Sequence, residues 1–408
     1  MQLPQVADDK NAVDIKDLLP RWKGQGYEPE HVAKRRRWVE QRTGADLTHT
    51  GSGTVDTRGL RGNIENSIGV SQVPIGIAGP VLVKGRHADG LFYVPMATTE
   101  GALVRSYERG MVALSKSGGV QVEIHDDENQ ISPAFFFPDV AAARKFVEWT
   151  SDHHDDFARA ASTTTSHGRL TSVRCYPAGR RVFLNLGFDT GDAHGMNMIV
   201  KAAHAICEWI RGQYSVDSFQ MFSGMSSEKR ASGFVMSRGK GKRVTAGAFL
   251  PPNILQGYLH ATVDQMLLMW RSTVIGHLYA SSIGFNAHIA NGLTAIFIAT
   301  GQDVANVTNS ACGITEMEPC DDGLYVSVTL PALTVATVGG GTGLPTQQEA
   351  LGIMDCVGDG KAKRLAEIVA ATLLGGEVSM GAAIASGEFV DAHEQYGRNR
   401  PDNGPDPE

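Results

Sequence analysis

At its centre the chain reads Arg169-Leu-Thr-Ser-Val-Arg-Cys-Tyr-Pro-Ala-Gly-Arg-Arg-Val-Phe-Leu-Asn-Leu-Gly-Phe188. Residues 169–176 and 181–188 are two β-rich runs, and Pro177-Ala-Gly179 joins them. A short connection of turn residues between two such runs is typical of a β-hairpin. The pattern therefore predicts two neighbouring antiparallel strands here.

The residues on either side of this hairpin complete a compact unit. The pattern predicts a strand at 134–137, a helix at 139–161 with Asp139 as its cap, a helix at 192–211 and a strand at 218–222. With the hairpin this gives the order βαββαβ, which is the ferredoxin-like order. We expect residues 134–221 to form a small inserted domain.

The rest of the chain is expected to form one large domain, residues 46–133 and 222–408, behind an N-terminal helical region at 1–45. The apolar pattern predicts a long helix at 254–282, a buried element at 293–300, a flexible loop at 338–342 and a helix at 363–385 interrupted at Gly375-Gly376. The overall expectation is an α+β fold.

Composition narrows the possible functions. The chain has 408 residues, of which 42% are hydrophobic and 20% charged, so it is long enough for a large core. A net charge of -7 argues against a nucleic-acid partner. The five cysteines are scattered, with no CxxC spacing that would predict a metal site. Neither a signal peptide nor a membrane-spanning run is evident, which favours a cytoplasmic protein with no membrane partner.

Acidic and basic side chains in Gly-rich or polar segments are the candidate catalytic groups. Glu100 lies in Met96-Ala-Thr-Thr-Glu-Gly101, shortly after the Gly/Pro-rich residues 65–80. Asp303 follows an apolar run, where burial would raise the pKa of its carboxyl unless a cation lies near. Lys229 could be that cation, although a lysine in a polar loop is usually solvated. His393 could equally be a surface histidine.

The segment Asp192-Ala-His-Gly-Met-Asn-Met198 opens a predicted helix, and Gly195 would let phosphates of a dinucleotide approach its N-terminus. The alternative is structural: Asp192 would cap the helix while Met196 and Met198 pack in the core. No GxGxxG follows a strand, so a nicotinamide cofactor would have to bind in another way.

Together the motifs resemble the hydroxymethylglutaryl-coenzyme A reductase family, in its class I form and its soluble catalytic portion. The motifs are Glu65-Asn-x-Ile-Gly69, Met96-Ala-Thr-Thr-Glu-Gly101, Asp192-Ala-x-Gly-Met-Asn-Met198, Asn286-Ala-His-x-Ala-Asn291, Gly301-Gln-Asp303 and Val338-Gly-Gly-Gly-Thr342. The resemblance implies a large α/β domain around a central helix, with the inserted ferredoxin-like domain binding NADP.

This resemblance also implies a reaction, the reduction of an acyl-coenzyme A thioester to an alcohol with two NADPH, which would make mevalonate for isoprenoid biosynthesis. Its catalytic positions match Glu100, Lys229, Asp303 and His393. Lys229 would stabilise the oxyanion and Asp303 would orient Lys229. Glu100, with its pKa raised, would protonate the second alkoxide, and His393 the departing thiolate.

Further site residues are implied by the same resemblance. The cofactor-binding residues would be Asp192, Gly195, Met196, Asn197, Met198 and Arg398. The substrate-binding residues would be Asn66, Ser106, Arg109, Ser166, Ser223, Arg230, Arg271, Ala287 and Asn291. The family assembles its site at a subunit interface, so a homodimer or a homotetramer is expected. No metal ion is implied.

The chain departs from the family pattern at positions that recognise substrate and cofactor. Ser166 stands where the family has an arginine for the free carboxylate of the acyl group, and this loss is not conservative. Arg230 and Arg271 replace lysines, Glu228 an aspartate and His194 a methionine. Residues 188–192 lack the family's arginine for the 2'-phosphate, which leaves NADH open beside NADPH.

Three hypotheses follow. The chain either reduces hydroxymethylglutaryl-CoA, with Arg230, Arg271 or Arg169 binding the carboxylate, or reduces a different acyl thioester in a specialised pathway. The third possibility, a homologue that binds thioester or nucleotide without turnover, fits least with the four retained catalytic residues.

Overall fold

A computed structural model describes residues 18–165 and 167–388. They divide into two compact units, with the boundary between Val73 and Pro74. The first unit contains helix α1 (Pro29–Thr43), the short helix α2 (Thr48–Gly51) and a 3₁₀ turn at Thr57–Leu60. Proline in the first turn of α1 and Gly44 after its end, at φ 72°, explain its bounds.

Strands and helices mix in the second unit, as expected for an α+β fold. Its strands are β1 (Ile75–Lys84), β2 (Asp89–Ala97), β3 (Val120–Ile131), β4 (Ala134–Phe136), β5 (Arg169–Ala178), β6 (Arg181–Asp189), β7 (Ser218–Gln220), β8 (Gly241–Leu250), β9 (Ile314–Cys320) and β10 (Gly323–Leu333). They form a single sheet with the central order β7-β4-β6-β3-β8-β10-β9, and β1 joins β2 to β3 while β5 joins β6. The long strand β3 thus serves two parts of the sheet.

Helices cover this sheet. They are α3 (Leu103–Lys116), α4 (Val140–Ser151), α5 (His154–Ser162), α6 (Met196–Gln213), α7 (Gly233–Arg238), α8 (Pro252–Gly257), α9 (Val263–Tyr279), α10 (Ile289–Thr300), α11 (Val307–Ser310), α12 (Pro345–Ile353) and α13 (Ala362–Ser386). Two further 3₁₀ turns lie at Val304–Asn306 and Gly340–Gly343.

The predicted hairpin is confirmed: β5 and β6 pair antiparallel, with Ala178 opposite Arg181 across the turn. Strand β4 lies between β6 and β7, so the order in this part of the sheet is β7-β4-β6-β5. Asp139 caps α4 as predicted, because its Oδ1 accepts a hydrogen bond of 2.7 Å from Ala142 N. The single helix predicted at 139–161 is wrong, since α4 ends at Ser151 and α5 begins at His154.

Helix α13 lies in the core, and its predicted interruption does not occur. Gly375 and Gly376 lie inside one continuous helix. Their lack of a side chain serves packing instead: a Cβ on Gly375 would lie 2.9 Å from Met111 Cγ, and one on Gly376 would lie 2.4 Å from Tyr107 Cε1. Among the described residues, α13 is the one helix long and apolar enough to cross a membrane, but 78% of its apolar window is buried inside the protein. A helix in the core of a protein can have the same length and apolar composition.

The long helix predicted at 254–282 is also wrong, because the chain breaks between α8 and α9. His260 has φ 56°, a left-handed conformation that a helix interior does not contain. Thr262 and Gln265 then form a capping box that starts α9. The buried element predicted at 293–300 is confirmed within α10.

Candidate active site

Lys229 and Asp303 form an ion pair, as the sequence predicted. The Lys229 Nζ atom lies 2.7 Å from Asp303 Oδ2. The two side chains are 44% and 40% exposed, so a ligand can reach the pair. Asp303 follows the C-terminus of α10, and its Oδ1 also accepts a hydrogen bond from Ala305 N, which fixes the carboxylate. The arrangement presents an ammonium group that is oriented but not enclosed.

The loop that carries Lys229 has an unusual backbone. Ser227 has φ 52° and Lys229 has φ 55°, so two non-glycine residues adopt the left-handed conformation on either side of Glu228. Each such residue costs about 1 kcal/mol or more, and the surrounding structure must hold it. Ser232 Oγ donates a hydrogen bond of 2.7 Å to Ser227 Oγ within this loop. Because Ser227 and Lys229 are left-handed, the Glu228 side chain points inward while the Lys229 side chain stays accessible.

Glu228 pairs with Lys240, a lysine that sequence reasoning did not select. Lys240 is fully buried, and its Nζ lies 2.8 Å from Glu228 Oε2. The same ammonium donates to Asn129 Oδ1 at 2.8 Å and to the Gln130 carbonyl at 2.9 Å. Burial lowers the pKa of Lys240, and the nearby Glu228 charge opposes this. The only sequence signal was a lysine between Gly239 and Gly241 at the start of β8.

His194 lies beside this buried pair. Its Nε2 is 3.7 Å from Glu228 Oε1, and its side chain is 22% exposed. Burial lowers the pKa of His194, while the carboxylates of Glu228 and Asp303 raise it. The His194 carbonyl accepts a hydrogen bond of 2.6 Å from Asn129 Nδ2. His194 thus places the segment before α6 next to the loop that carries Lys229.

Glu100 forms a second polar group, with Asn291. Asn291 Nδ2 lies 3.3 Å from Glu100 Oε1, and Glu100 is exposed. Asn291 lies in the first turn of α10, and Asp303 follows the last turn of the same helix. The distance along the helix axis from Asn291 to Thr300 is about 13 Å. In the described part of the chain, no hydrogen bond or ion pair joins Glu100 to Lys229 or Asp303.

The start of α10 is fixed by Glu377, which the sequence analysis also missed. Its carboxylate accepts hydrogen bonds from Ala287 N, His288 N and Thr315 Oγ1, at 2.9, 2.6 and 2.8 Å. Burial raises the pKa of Glu377, and these three donors oppose the shift. Tyr107 Oη donates to the His288 carbonyl at 2.7 Å. This network positions Ala287 and Asn291.

The predicted cofactor segment precedes α6. Gly195 has φ 75°, and a Cβ there would lie 2.7 Å from Thr190 Cγ2, so only glycine fits. The structural alternative for Asp192 is wrong, because Asp192 does not cap α6. Its carboxylate instead accepts hydrogen bonds from Gly360 N at 2.7 Å and Ala362 N at 2.9 Å, at the start of α13.

Of the remaining predicted site residues, some form hydrogen bonds within the protein and others are exposed. Arg109 donates to Ser379 Oγ at 3.1 Å and to the Ser379 carbonyl at 2.8 Å, and Ser106 Oγ lies 3.4 Å from Ser379 Oγ. Ser223 Oγ donates to the Ser132 carbonyl. The exposed side chains are those of Arg230, Arg271 and Asn197. Ser166, His393 and Arg398 lie outside the described residues.

Asn66 belongs to the first unit, where it lines a cavity of about 540 Å³. Several cationic and aromatic side chains share that cavity, including Arg21, Trp22, Lys23 and Arg61. A concave site with this lining suits an anionic ligand that has a flat ring.

A lysine ammonium that is oriented and accessible can stabilise negative charge on a substrate oxygen. The family model described as hydroxymethylglutaryl-coenzyme A reductase matches residues 31–398. The chain belongs to the hydroxymethylglutaryl-coenzyme A reductase family, and the resemblance seen in its motifs is confirmed at that level.

Curated relatives support the same family. The chain is 41% identical over 382 residues to the 3-hydroxy-3-methylglutaryl-coenzyme A reductase of Aeropyrum pernix, covering 91% of each chain. It is 41% identical over 374 residues to that of Pyrococcus horikoshii, covering 89% of this chain and 91% of the relative.

Solved structures share the fold. The reductase of Streptococcus pneumoniae superposes with a TM-score of 0.66 at 18% identity, over 86% of this chain and 96% of that one. The class II enzyme from the same organism, bound to NADPH in open conformations, gives 0.66 at 18% over 88% and 99%. At this identity the likeness concerns the fold alone.

Proposed function

We propose that this protein reduces 3-hydroxy-3-methylglutaryl-coenzyme A to mevalonate and coenzyme A with two molecules of NADPH. The observation that carries the proposal is the Lys229–Asp303 ion pair of 2.7 Å in a chain of this family. NADPH supplies one hydride at each of two steps. The chain's own residues bind the substrate, stabilise its oxyanions and move protons.

In the first step, hydride addition to the thioester carbonyl carbon places negative charge on the oxygen. Lys229 is placed to stabilise that oxyanion, and Asp303 keeps the ammonium oriented. The carbon–sulfur bond then breaks to give an aldehyde and a thiolate, and we assign protonation of the thiolate to His393. The second hydride reduces the aldehyde, and Glu100 gives its proton to the alkoxide. Asn291, at 3.3 Å, orients Glu100.

For NADPH we propose the unit formed by β4 to β7 with α4, α5 and α6, within residues 134–221. Its strand order of β7-β4-β6-β5 supports a ferredoxin-like domain. Gly195 brings the backbone before α6 close to a bound phosphate, and Asn197 and Met198 lie in the first turn of α6. The Asp192 carboxylate is held by backbone N–H groups of residues 360–362, which limits its repulsion of an anion. We assign Arg398 to the same cofactor.

For coenzyme A we propose the cavity of the first unit, with Asn66 at its wall. Arginine and lysine side chains there match the phosphate groups of the substrate. We further propose a helical region at residues 1–45, of which 1–17 lie outside the described residues, and a large substrate domain of residues 46–133 with 222–408. Ser106 and Arg109 would shape that domain's site through Ser379.

We propose Arg230 and Arg271 as the groups that bind the free carboxylate of the acyl chain, because both are exposed. Arg169 is less suited, since its Nη2 atom lies 3.4 Å from Asp189 Oδ2. Ser166 motivates the alternative, the same reductive chemistry on a different acyl thioester. A comparison of thioesters with and without a terminal carboxylate separates the two: a preference for the neutral acyl group would favour the alternative.

We also propose that the protein acts in the cytoplasm as a homodimer or homotetramer with its site at a subunit interface. Exposed apolar side chains on α9 support this, namely Leu268, Ile275, Leu278 and Tyr279. Arg271 lies on the same helix. Analytical ultracentrifugation should give a multiple of the chain mass of 43.7 kDa. A monomer with full activity would contradict the interface.

The test of the reaction is oxidation of NADPH, and in parallel of NADH, by the purified protein with hydroxymethylglutaryl-CoA. The expected result is mevalonate, with about two reduced nicotinamides consumed per thioester. Cofactor binding without turnover would overturn the proposal for this substrate.

A further inference from the structure

A buried polar cluster beneath the catalytic pair contains two unsatisfied atoms that face each other. His194 Nε2 and Glu228 Oε1 are both buried and neither has a hydrogen-bond partner among the described residues. They lie 3.7 Å apart, just beyond hydrogen-bond length. A buried polar atom without a partner is unfavourable, so a small movement that joins the two atoms lowers the free energy.

We infer that His194 is a positioning residue for the proposed reaction: its imidazole donates to the Glu228 carboxylate and holds the loop that presents the Lys229 ammonium. The inference rests on the proposed function, because it concerns the same site. His194 belongs to the segment before α6 that is assigned to NADPH, whereas Glu228 belongs to the lysine loop. One contact therefore links the cofactor segment to the catalytic ammonium.

The loop needs such support. Ser227 and Lys229 both have positive φ, so the surrounding structure must hold residues 227–229 in this conformation. Lys240 holds one carboxylate oxygen, Oε2, at 2.8 Å. The other oxygen, Oε1, faces His194. Once the His194 hydrogen bond forms, each oxygen has a partner, and the rotation of the carboxylate is fixed as well as its position.

Burial of the His194 imidazole favours its neutral form, which can still donate a hydrogen bond. The groups that face His194 are Glu228, Lys240, Asp303 and Lys229. Burial has the largest effect and lowers the pKa of the imidazole below its ordinary value, while the two acids raise it and the two lysines lower it. A neutral imidazole has one N–H, which can lie on Nε2 and donate to the carboxylate.

Two substitutions separate this role from simple packing. His194→Met fills a similar volume without a hydrogen-bond donor, and His194→Gln places an amide N–H where Nε2 was. We expect His194→Met to lower kcat about tenfold while KM for both substrates changes less than about twofold. We expect His194→Gln to retain kcat within about threefold of the wild type.

Two kinetic outcomes would overturn the inference. One is a wild-type kcat in His194→Met. The other is an equal loss in both variants with a parallel fall in Tm, which would show a structural role alone.

A second measurement does not depend on turnover. In NMR, the imidazole resonance that His194→Gln removes should titrate at lower pH than a free imidazole, and at still lower pH in Glu228→Gln, because the Glu228 charge raises the pKa of His194. An unchanged titration in Glu228→Gln would rule out the contact. If the wild type fails to reduce hydroxymethylglutaryl-CoA yet this shift is found, the proposed function fails while the contact stands.

Discussion

Two acid–lysine pairs meet at one loop and differ in their surroundings. In the pair of Glu228 and Lys240, the lysine is fully buried and every contact is internal. In the pair of Lys229 and Asp303, the side chains are 44% and 40% exposed. Glu228 and Lys229 are adjacent in sequence, so the fold alone decides which of the two lies inside. Identical chemistry gives a structural pair in one place and an accessible pair in the other.

The two pairs differ in how much each contributes to the stability of the fold. A buried charge is costly when its partner is lost, because the remaining charge is desolvated without compensation. An exposed pair contributes about 0 to 1 kcal/mol to stability, since water screens it. The exposed pair therefore contributes little to folding, and this agrees with the role in binding substrate that we propose for it.

The largest expected effect is on stability, from Lys240→Met. This change leaves Glu228 buried without its cation, and we expect the free energy of unfolding to fall by about 3 to 5 kcal/mol. Chemical denaturation would measure it. The matched control is the double variant Glu228→Gln with Lys240→Met, which removes both charges and should recover most of the loss. A double variant as unstable as the single one would show that the charges are not the cause.

Lys229→Ala should lower the activity and leave the stability nearly unchanged. We expect kcat to fall by about 10² to 10³, because the oxyanion loses its positive partner, while the free energy of unfolding changes by less than about 1 kcal/mol. Steady-state kinetics and denaturation measure the two quantities. Lys84→Ala, which changes an exposed lysine at the end of β1, is the control and should keep full activity. Intact turnover in Lys229→Ala would refute the oxyanion role.

His288 is a buried histidine whose environment should make the stability of the protein depend on pH. Burial lowers the pKa of its imidazole from 6.5 to about 4. Protonation thus favours the unfolded chain, so this contribution to stability is complete above pH 6.5 and is lost as the pH falls to about 4. The shift corresponds to at most about 3 kcal/mol.

We expect His288→Gln to show a shallower loss of unfolding free energy between these pH values, as measured by urea denaturation at each pH. An equal slope in wild type and His288→Gln would contradict the assignment.

The accessible pair could be predicted from the sequence and the buried pair could not. Lys229 and Asp303 lie in recognisable motifs, whereas Lys240 is an ordinary residue at a strand start and meets Glu228 only through the left-handed turns at 227 and 229. Local patterns predicted the hairpin of β5 and β6 well. The break between α8 and α9 was missed although Thr262 and Gln265 have capping-box spacing, because the apolar run around them suggested one helix.

The smallest expected effect is that of Asp303→Asn, which sharpens the comparison within the exposed pair. Asparagine keeps the shape of the side chain and can still accept from Ala305 N, but it no longer attracts the Lys229 ammonium. We expect kcat to fall about tenfold with little change in KM, because the lysine remains but is less well oriented. Adding Lys229→Ala should bring little further loss beyond Lys229→Ala alone, since the aspartate acts through the lysine. If Asp303→Asn instead lowered the free energy of unfolding as much as Lys240→Met, the distinction between a structural and an accessible pair would be wrong.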